Sequence, residues 1–166
     1  MQEAFQHILD SLRKWQPNHE IVLESLRQAG SNRQYFRFNH DDQSYILTYN
    51  PSNAPENNAF VEFTQHFAGK GLNVPDIIYT DDAMQFYVQS DLGDVSLFDH
   101  ITKEGFSENV LNLFKKTCSS LAKLQVEGGD DLDYSNCIAT RSFDKQAIYS
   151  DLLYFLYCVI LRIPFS

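Results

Sequence analysis

Apolar residues at the start of the chain recur with the spacing of an amphipathic helix. The charged residues Asp10, Arg13 and Lys14 fall on the opposite side, and Pro17 with Asn18 would end the helix. The spacing therefore predicts a helix over residues 1–15 that buries one of its sides. That side carries Phe5, Ile8, Leu9, Leu12 and Trp15.

The next part of the chain alternates in polarity and is rich in β-branched and aromatic residues. The first strand opens at residues 21–23, and the second covers residues 35–38. A polar turn at residues 39–42 leads into a third strand at residues 44–49. The pattern predicts an antiparallel meander of three strands.

A turn-rich linker at residues 50–55 opposes both helix and strand, and a helical pattern follows at residues 56–70. We expect this helix to pack on the sheet through its aromatic residues, which are Phe60, Phe63 and Phe67. Residues 77–79 and 84–88 predict a second hairpin. The sheet would then have about five strands.

The pattern of apolar and polar residues changes near Gly93, and after this residue it predicts helices instead of strands. Helical patterns occur at residues 97–101, 110–125 and 144–161. We therefore predict one domain at residues 1–92 and a helical part at residues 93–166. The predicted fold class is α+β, with one helix inserted into an antiparallel sheet.

Charge and cysteine content narrow the class of protein. The 166 residues include 13 Lys and Arg against 22 Asp and Glu, a net charge of −9, which argues against nucleic acid or an anionic membrane as a partner. Cys118, Cys137 and Cys158 are odd in number and widely spaced, which predicts reduced cytoplasmic thiols. The sequence opens without a secretory signal pattern, and the apolar run at residues 152–163 is shorter than the about 20 residues that span a bilayer.

The turn formed by Gly30, Ser31 and Asn32 is the first candidate for binding chemistry. Small side chains expose backbone N–H groups, which can surround an anion such as a phosphate. The same residues more often form an ordinary hairpin turn. The turn alone therefore indicates no function.

Five strands with one helix after the third, followed by a connector and helices, resemble the N-lobe of a protein-kinase-like enzyme. Residues 30–38 (GSNRQYFRF) resemble the loop and strand of the aminoglycoside phosphotransferase and choline kinase superfamily. Within it they are most similar to the sugar kinases that act on N-acetylmuramate or N-acetylglucosamine. Residues 73–75, 90–94 and 132–135 resemble the same family. The resemblance covers nearly the whole chain but only the first part of the family's length.

The resemblance implies an ATP site whose phosphates are covered by Gly30, Ser31, Asn32, Arg33 and Gln34. Most kinases place a phosphate-binding lysine where Thr48 stands here, paired with a glutamate for which Glu62 is the candidate. A hydroxyl cannot neutralise phosphate, so either Arg33 or Arg37 takes the role of the lysine or nucleotide binding is weak. The alternatives are a solvated arginine at position 33 and a surface carboxylate at position 62.

The resemblance also implies a hinge at Gln89, Ser90, Asp91 and Leu92, whose backbone groups would bind the edge of adenine. Ile46 and Phe86 would form the apolar walls of the adenine pocket. The alternative is a plain connector between two parts of the chain. His66 and His100 lie in predicted helices and are interpreted as packing or surface histidines.

The family supplies its general base and magnesium ligands from a His-x-Asp-x-x-x-x-Asn loop and a later aspartate. The His-x-Asp that begins at His40 has Leu47 at the asparagine position and lies in a predicted turn. No catalytic or metal-binding residue is therefore predicted. The chain is expected to be a truncated kinase that transfers no phosphate.

Two functions remain open at this point. The first is the ATP-binding part of a small-molecule phosphotransferase, with an amino sugar as the acceptor and magnesium expected in the full-length family. The second is a non-catalytic, pseudokinase-like module that docks on a partner. The aromatic C-terminal helix is expected to be exposed and to drive self-association.

Overall fold

A computed structural model describes residues 2–16, 21–27, 32–138 and 144–158. The chain forms two compact units, residues 1–136 and residues 137–166. The helices are α1 (Gln2–Trp15), α2 (Ala54–Gly69), α3 (Leu97–Glu104), α4 (Glu108–Val126) and α5 (Lys145–Cys158), with a 3₁₀ turn at Tyr134–Asn136. The strands are β1 (Glu24–Ser25), β2 (Gln34–His40), β3 (Gln43–Tyr49), β4 (Ile77–Thr80) and β5 (Phe86–Ser90). The functional division predicted at Gly93 remains a prediction.

The five strands form one antiparallel sheet in the order β1-β2-β3-β5-β4. The strand β3 leads into α2, and the chain returns through β4 to place β5 against β3. The predicted α+β class, the strand count and the inserted helix are therefore confirmed. Within the described residues, the sheet with its inserted helix precedes the helices α3 and α4, in the predicted order.

One face of the sheet, here called the α1 face, holds the apolar core. Ile8 and Leu12 of α1 are buried against it, and Trp15 packs at the edge by stacking on Tyr79 with ring centroids 5.5 Å apart. The sheet contributes Phe36, Phe38, Leu47, Phe86 and Val88. The predicted amphipathic helix is confirmed in position, and Ile8 and Leu12 of its predicted buried side lie in the core with Trp15 packed against them. The Phe5 side chain of that prediction lies outside what the structure describes.

Several predicted strand limits were wrong. The strand β1 begins at Glu24, not at residue 21, because Ile21 and Leu23 pack on the core without pairing along the sheet. The strand β5 begins at Phe86 instead of residue 84, because Met84 lies in a turn with φ of 52°. Gln89 and Ser90 therefore belong to the end of β5.

The turn between β2 and β3 is tighter than the predicted residues 39–42. Asp41 and Asp42 alone form it, with φ of 48° and 59°, while Asn39 and His40 pair within the hairpin. Two successive positive φ values give the type I′ geometry that matches the twist of the flanking strands. Aspartate tolerates this backbone conformation better than most residues do.

The helix α2 also starts earlier than predicted. The Asn53 side chain accepts a hydrogen bond from the backbone N–H of Glu56 at 3.3 Å, and Pro55 lies in the first turn, where its missing N–H costs nothing. Its buried residues are Asn57, Ala59, Val61 and Thr64, whereas Phe60, Phe63 and Phe67 are half-buried. The prediction that α2 packs on the sheet through its phenylalanines is confirmed for Phe60, which stacks on Tyr87 of β5, whereas the fully buried positions of the helix belong to smaller side chains.

The helices α3 and α4 follow β5, and both begin at capped serines. Ser96 and Asp99 form a reciprocal capping box, and Ser107 accepts a hydrogen bond from the N–H of Val110. Both helices run beyond the predicted 97–101 and 110–125. The second unit contains α5, and residues 159–161 of its prediction lie outside the described residues. Within the described part of the chain no helix is long and apolar enough to cross a membrane.

Candidate functional site

The second face of the sheet, here called the α2 face, gathers three of the polar residues that the resemblance singled out, Arg33, Thr48 and Gln89. Side chains alternate between the two faces along a strand, so the pairing register places two cross-strand rows on this face. One row is Tyr35, Thr48 and Tyr87, and the other is Arg37, Ile46 and Gln89. Phe60 of α2 stacks on Tyr87 with ring centroids 4.9 Å apart, which covers one end of the face.

Arg33 provides the positive charge at the α2 end of this face. Its Nη2 lies 2.8 Å from Glu56 Oε1, and its guanidinium lies 5.9 Å from the ring centroid of Phe60. Only 18% of the Arg33 side chain is exposed. Desolvation lowers the pKa of Arg33, but Tyr87, Tyr35 and Glu56 outweigh it and raise the pKa overall.

Glu56 is in turn held by two asparagines. Asn50 Nδ2 and Asn53 Nδ2 donate to Glu56 Oε2 at 3.0 and 3.1 Å. The carboxylate therefore bridges the first turn of α2 and the end of the loop that precedes β2. This arrangement fixes Arg33 by charge, hydrogen bonding and aromatic contact.

Two buried polar atoms on the same face lack hydrogen-bond partners among the described residues. They are Thr48 Oγ1 and Gln89 Oε1. Burial raises the pKa of the neighbouring Tyr87 phenol, and Thr48 and Arg33 lower that pKa by a smaller amount. The Thr48 hydroxyl itself has no hydrogen bond of good geometry among the described residues. Unsatisfied buried polar atoms are rare and costly in folded proteins, so both atoms are candidates for ligand contacts.

Arg37 belongs to a separate network at the end of β5. It donates from Nε and Nη2 to the two carboxylate oxygens of Asp91 at 2.7 and 3.3 Å, and its Nη2 lies 2.6 Å from Asp94 Oδ1. Ser44 Oγ and the Gly93 N–H also donate to Asp91, at 2.7 and 2.9 Å. Burial raises the pKa of Asp91, but these hydrogen bonds and the charge of Arg37 outweigh it and lower the pKa overall.

The structure brings together only part of the predicted site. Arg33, Ile46, Thr48 and Gln89 share the α2 face or its edge. Gly30 and Ser31 lie outside the described residues, and exposed side chains are found at Asn32, Gln34, Glu62 and Leu92. The expectation that Phe86 lines the adenine pocket beside Ile46 was wrong, because Phe86 lies in the α1 core. Side chains alternate along β5, so Phe86 points to the opposite face from Gln89, which is the residue paired with Ile46.

The predicted hinge carries backbone groups that are already engaged. The Ser90 N–H donates to the Asp76 carbonyl at 2.9 Å, and the Asp91 N–H donates to the Ser44 carbonyl at 3.3 Å. The Asp91 side chain is the anchor of the Arg37 network described above. The backbone donors of these two residues are therefore committed to the fold.

Sequence reasoning missed Glu56, Tyr35 and Tyr87. A glutamate three residues after an asparagine is a helix-start signal, and this signal marks Glu56. The alternation of β3 and β5 could have identified Tyr87 as the neighbour of Thr48, had the start of β5 been placed correctly. Among the described residues, no group of three or more His, Cys, Asp or Glu side chains converges as a metal site.

Two solved structures are similar to the chain at low sequence identity. One is the crystal structure of aminoglycoside phosphotransferase APH(4)-Ia, with 19% identity and a TM-score of 0.42 over 57% of this chain and 33% of that chain. The other is a thermostable mutant of aminoglycoside phosphotransferase APH(4)-Ia in its apo form, with 16% identity and a TM-score of 0.47 over 76% of this chain and 40% of that chain. This chain therefore spans less than half the length of either. No protein-family model and no curated protein matches the sequence.

Proposed function

We propose that the α2 face of the sheet binds an adenine nucleotide, as the ATP-binding part of a small-molecule phosphotransferase. The observation that carries this proposal is the Arg33–Glu56 ion pair, which lies at the edge of the face that holds the unpartnered Thr48 hydroxyl. A fixed cation and an unsatisfied donor suit the oxygen atoms of a phosphate chain.

In this proposal Arg33 takes the role that a lysine has in most kinases. Its planar guanidinium has the geometry to bind two phosphate oxygens at once, and Glu56 holds it in place at the edge of the face. The pairing of Arg33 with Glu56 compensates for Thr48 at the lysine position. The role predicted for the exposed Glu62 remains a prediction, as do phosphate contacts by Gly30, Ser31, Asn32 and Gln34.

At the other end of the face, Ile46 and Gln89 form the adenine subsite. The buried Oε1 of Gln89 is an acceptor without a partner among the described residues, and the exocyclic amine of adenine is a donor. Guanine presents an acceptor at the same ring position, so the subsite favours ATP over GTP. Ser90, Asp91 and Leu92 contribute carbonyl groups and the backbone shape of the hinge.

The acceptor in this proposal is an amino sugar, in line with the resemblance of residues 30–38 to sugar kinases. The family uses magnesium with ATP, but the described residues contain no converging set of metal ligands, so no step through a metal is derived for this chain. We propose that the 166-residue chain binds nucleotide without transferring phosphate, because its sequence lacks the His-x-Asp-x-x-x-x-Asn pattern.

Isothermal titration calorimetry with ATP tests the proposal. Arg33→Ala should weaken ATP binding by about tenfold or more, since a charge-assisted contact is worth roughly 1.5–3 kcal/mol. Arg13→Ala removes an exposed arginine of α1 and serves as the matched control, with unchanged affinity expected. Gln89→Leu should reduce the preference for ATP over GTP. Equal affinities of wild type and Arg33→Ala would contradict the proposed phosphate site.

A second function, self-association or partner docking through α5, is favoured by the surface of that helix. Six large apolar side chains of α5 are exposed, namely Ile148, Tyr149, Leu152, Leu153, Tyr154 and Leu156. Contiguous apolar surface of this kind marks an interaction site. Sedimentation velocity over a range of concentrations should reveal self-association that Leu152→Glu abolishes and Gln146→Glu preserves. A monomer at all concentrations would contradict it.

A further inference from the structure

A basic cleft lies between α4 and the turn that joins α2 to β4. Its volume is about 440 Å³, and all of its lining residues are exposed, so it is an open depression of the surface. One wall is α4, and the other is the turn after Gly69. The lining residues are Gly71, Asn73, Lys115, Lys116, Ser119, Ser120 and Lys123.

The spacing along α4 gathers the cationic groups on one side of the helix. A spacing of three or four residues places side chains on the same side of a helix, and four residues of α4 have this spacing, namely Lys116, Ser119, Ser120 and Lys123. Lys115 is adjacent to them. Between residues 109 and 126 the sequence has three lysines and no Asp or Glu, although the whole chain has a net charge of −9. The cleft is therefore positively charged on a protein whose net charge is negative.

Among the described residues, the three lysines of the cleft form no salt bridge, although Glu127 follows Lys123 by one turn at the end of α4. Asp130, which lies beyond the end of α4, is paired with Lys70 at 3.3 Å. The three positive charges repel one another, and an anion that binds among them relieves that repulsion.

The opposite wall leaves room for a ligand but adds no backbone donor at Gly71. Gly71 has φ of 70°, and no atom lies within 4 Å of the place where a Cβ would stand, but its N–H already donates to the Ala68 carbonyl at 2.9 Å. The hydroxyl groups of Ser119 and Ser120 add donors between the lysines. Amines that act as point charges, flanked by hydroxyls, match the chemistry of phosphate oxygens.

We propose that this cleft binds a compact oligophosphate, meaning a small ligand with two or three linked phosphate groups. Three amines suit a short chain of phosphates, whereas the acidity of the rest of the protein opposes a long polyanion such as a nucleic acid. The cleft is built from α4 and the turn after α2, so the inference does not depend on the nucleotide site proposed above.

Tripolyphosphate is the probe, titrated calorimetrically at about 10 mM salt, where screening between exposed charges is weak. Binding is expected in the wild type, and Lys116→Gln with Lys123→Gln together should weaken it by about tenfold. Lys103→Gln removes a lysine of α3 and is the matched control, with unchanged affinity expected. Thermal unfolding followed by circular dichroism checks that all variants fold alike.

Arg33→Ala separates this cleft from the proposed nucleotide site. The inference predicts that Arg33→Ala leaves tripolyphosphate binding intact while the double lysine variant loses it. Loss in Arg33→Ala with retention in the lysine variant would overturn the inference, as would equal weakening by Lys103→Gln. Tighter binding of a single-stranded oligonucleotide than of tripolyphosphate at equal phosphate concentration would also contradict it.

Discussion

Arg37 and Asp91 lie 54 positions apart in the sequence and join the middle of β2 to the segment that follows β5 through two hydrogen bonds of 2.7 and 3.3 Å. Ser44 adds a third contact to the same carboxylate. Because Asp91 stands where the sheet gives way to α3, this network fixes the path of the predicted hinge relative to the strands. It therefore couples the proposed adenine subsite to the rigid part of the fold.

The first prediction concerns this network. The Asp91 side chain is only 8% exposed and accepts several hydrogen bonds, so Asp91→Ala should lower the free energy of unfolding by about 2 kcal/mol. Asp94 also contacts Arg37, but its side chain is 75% exposed, so Asp94→Ala should cost less than about 1 kcal/mol. Urea unfolding measures both values. Equal losses of unfolding free energy in the two variants would show that the buried hydrogen bonds of Asp91 stabilise the fold no more than the exposed contact of Asp94.

The second prediction concerns Asn57, a fully buried amide of α2. Its Nδ2 donates to the Met84 carbonyl at 2.7 Å and to the Asn50 carbonyl at 3.1 Å. Asn57→Ala removes the donor to the Met84 carbonyl and one of the two donors to the Asn50 carbonyl, which keeps the Asn53 N–H, and should cost about 2–3 kcal/mol. Asn58→Ala, a change at the half-buried neighbour, is the control and should cost less than about 1 kcal/mol. A cost for Asn57→Ala as small as that of the control would mean that water replaces these hydrogen bonds.

The third prediction separates stability from binding at Thr48. This side chain is 0% exposed and its hydroxyl has no partner among the described residues, so Thr48→Val should leave stability unchanged or raise it by about 1 kcal/mol. The same change should weaken ATP binding, because it removes the donor proposed to contact phosphate. Calorimetric titration and urea unfolding are measured on the same samples. Greater stability with undiminished ATP affinity would remove Thr48 from the site.

The fourth prediction concerns acid sensitivity at the turn between α3 and α4. Hydrogen bonds from His100, Asn109 and Ser107 lower the pKa of Glu104 from 4.5 to about 2. A carboxylate with a lowered pKa stabilises the fold above its unfolded pKa, and that contribution is lost as pH falls from about 4.5 to about 2. Glu104→Gln should therefore flatten the dependence of unfolding free energy on pH in this window. Glu108→Gln is the control, and an unchanged slope in Glu104→Gln would refute the assignment.

The sequence predicted the sheet and the amphipathic α1 because periodicity and turn residues are local signals. It misplaced the start of β5 because the turn at Met84 depends on its hydrogen bond from Asn57, a contact 27 positions away. The predicted strand also ended at residue 88, which left Gln89 in a connector, whereas β5 continues to Ser90. The Arg33–Glu56 pair also joins separate elements, so the sequence identified the arginine but not its partner.

The buried side of α2 illustrates the same limit. The spacing of Phe60 and Phe67 favoured an aromatic face, yet the fully buried residues of the helix are Asn57, Ala59, Val61 and Thr64. The buried Asn57 is stable there because its side chain donates to the Asn50 carbonyl just before α2 and to the Met84 carbonyl 27 positions away. Hydrophobic periodicity cannot detect such partners, since they exist only once the tertiary fold forms.

Amide chemical-shift mapping with ATP tests the central claim most directly, because it locates the ligand on the sheet. The account predicts that ATP perturbs the ¹H–¹⁵N resonances of Arg33, Thr48 and Gln89 in a saturable manner, while those of Phe38 and Leu47 in the α1 core move little. Arg33→Ala should reduce these perturbations at the same ATP concentration. Perturbations confined to the lysines of α4, or none at millimolar ATP, would contradict a nucleotide site on the α2 face.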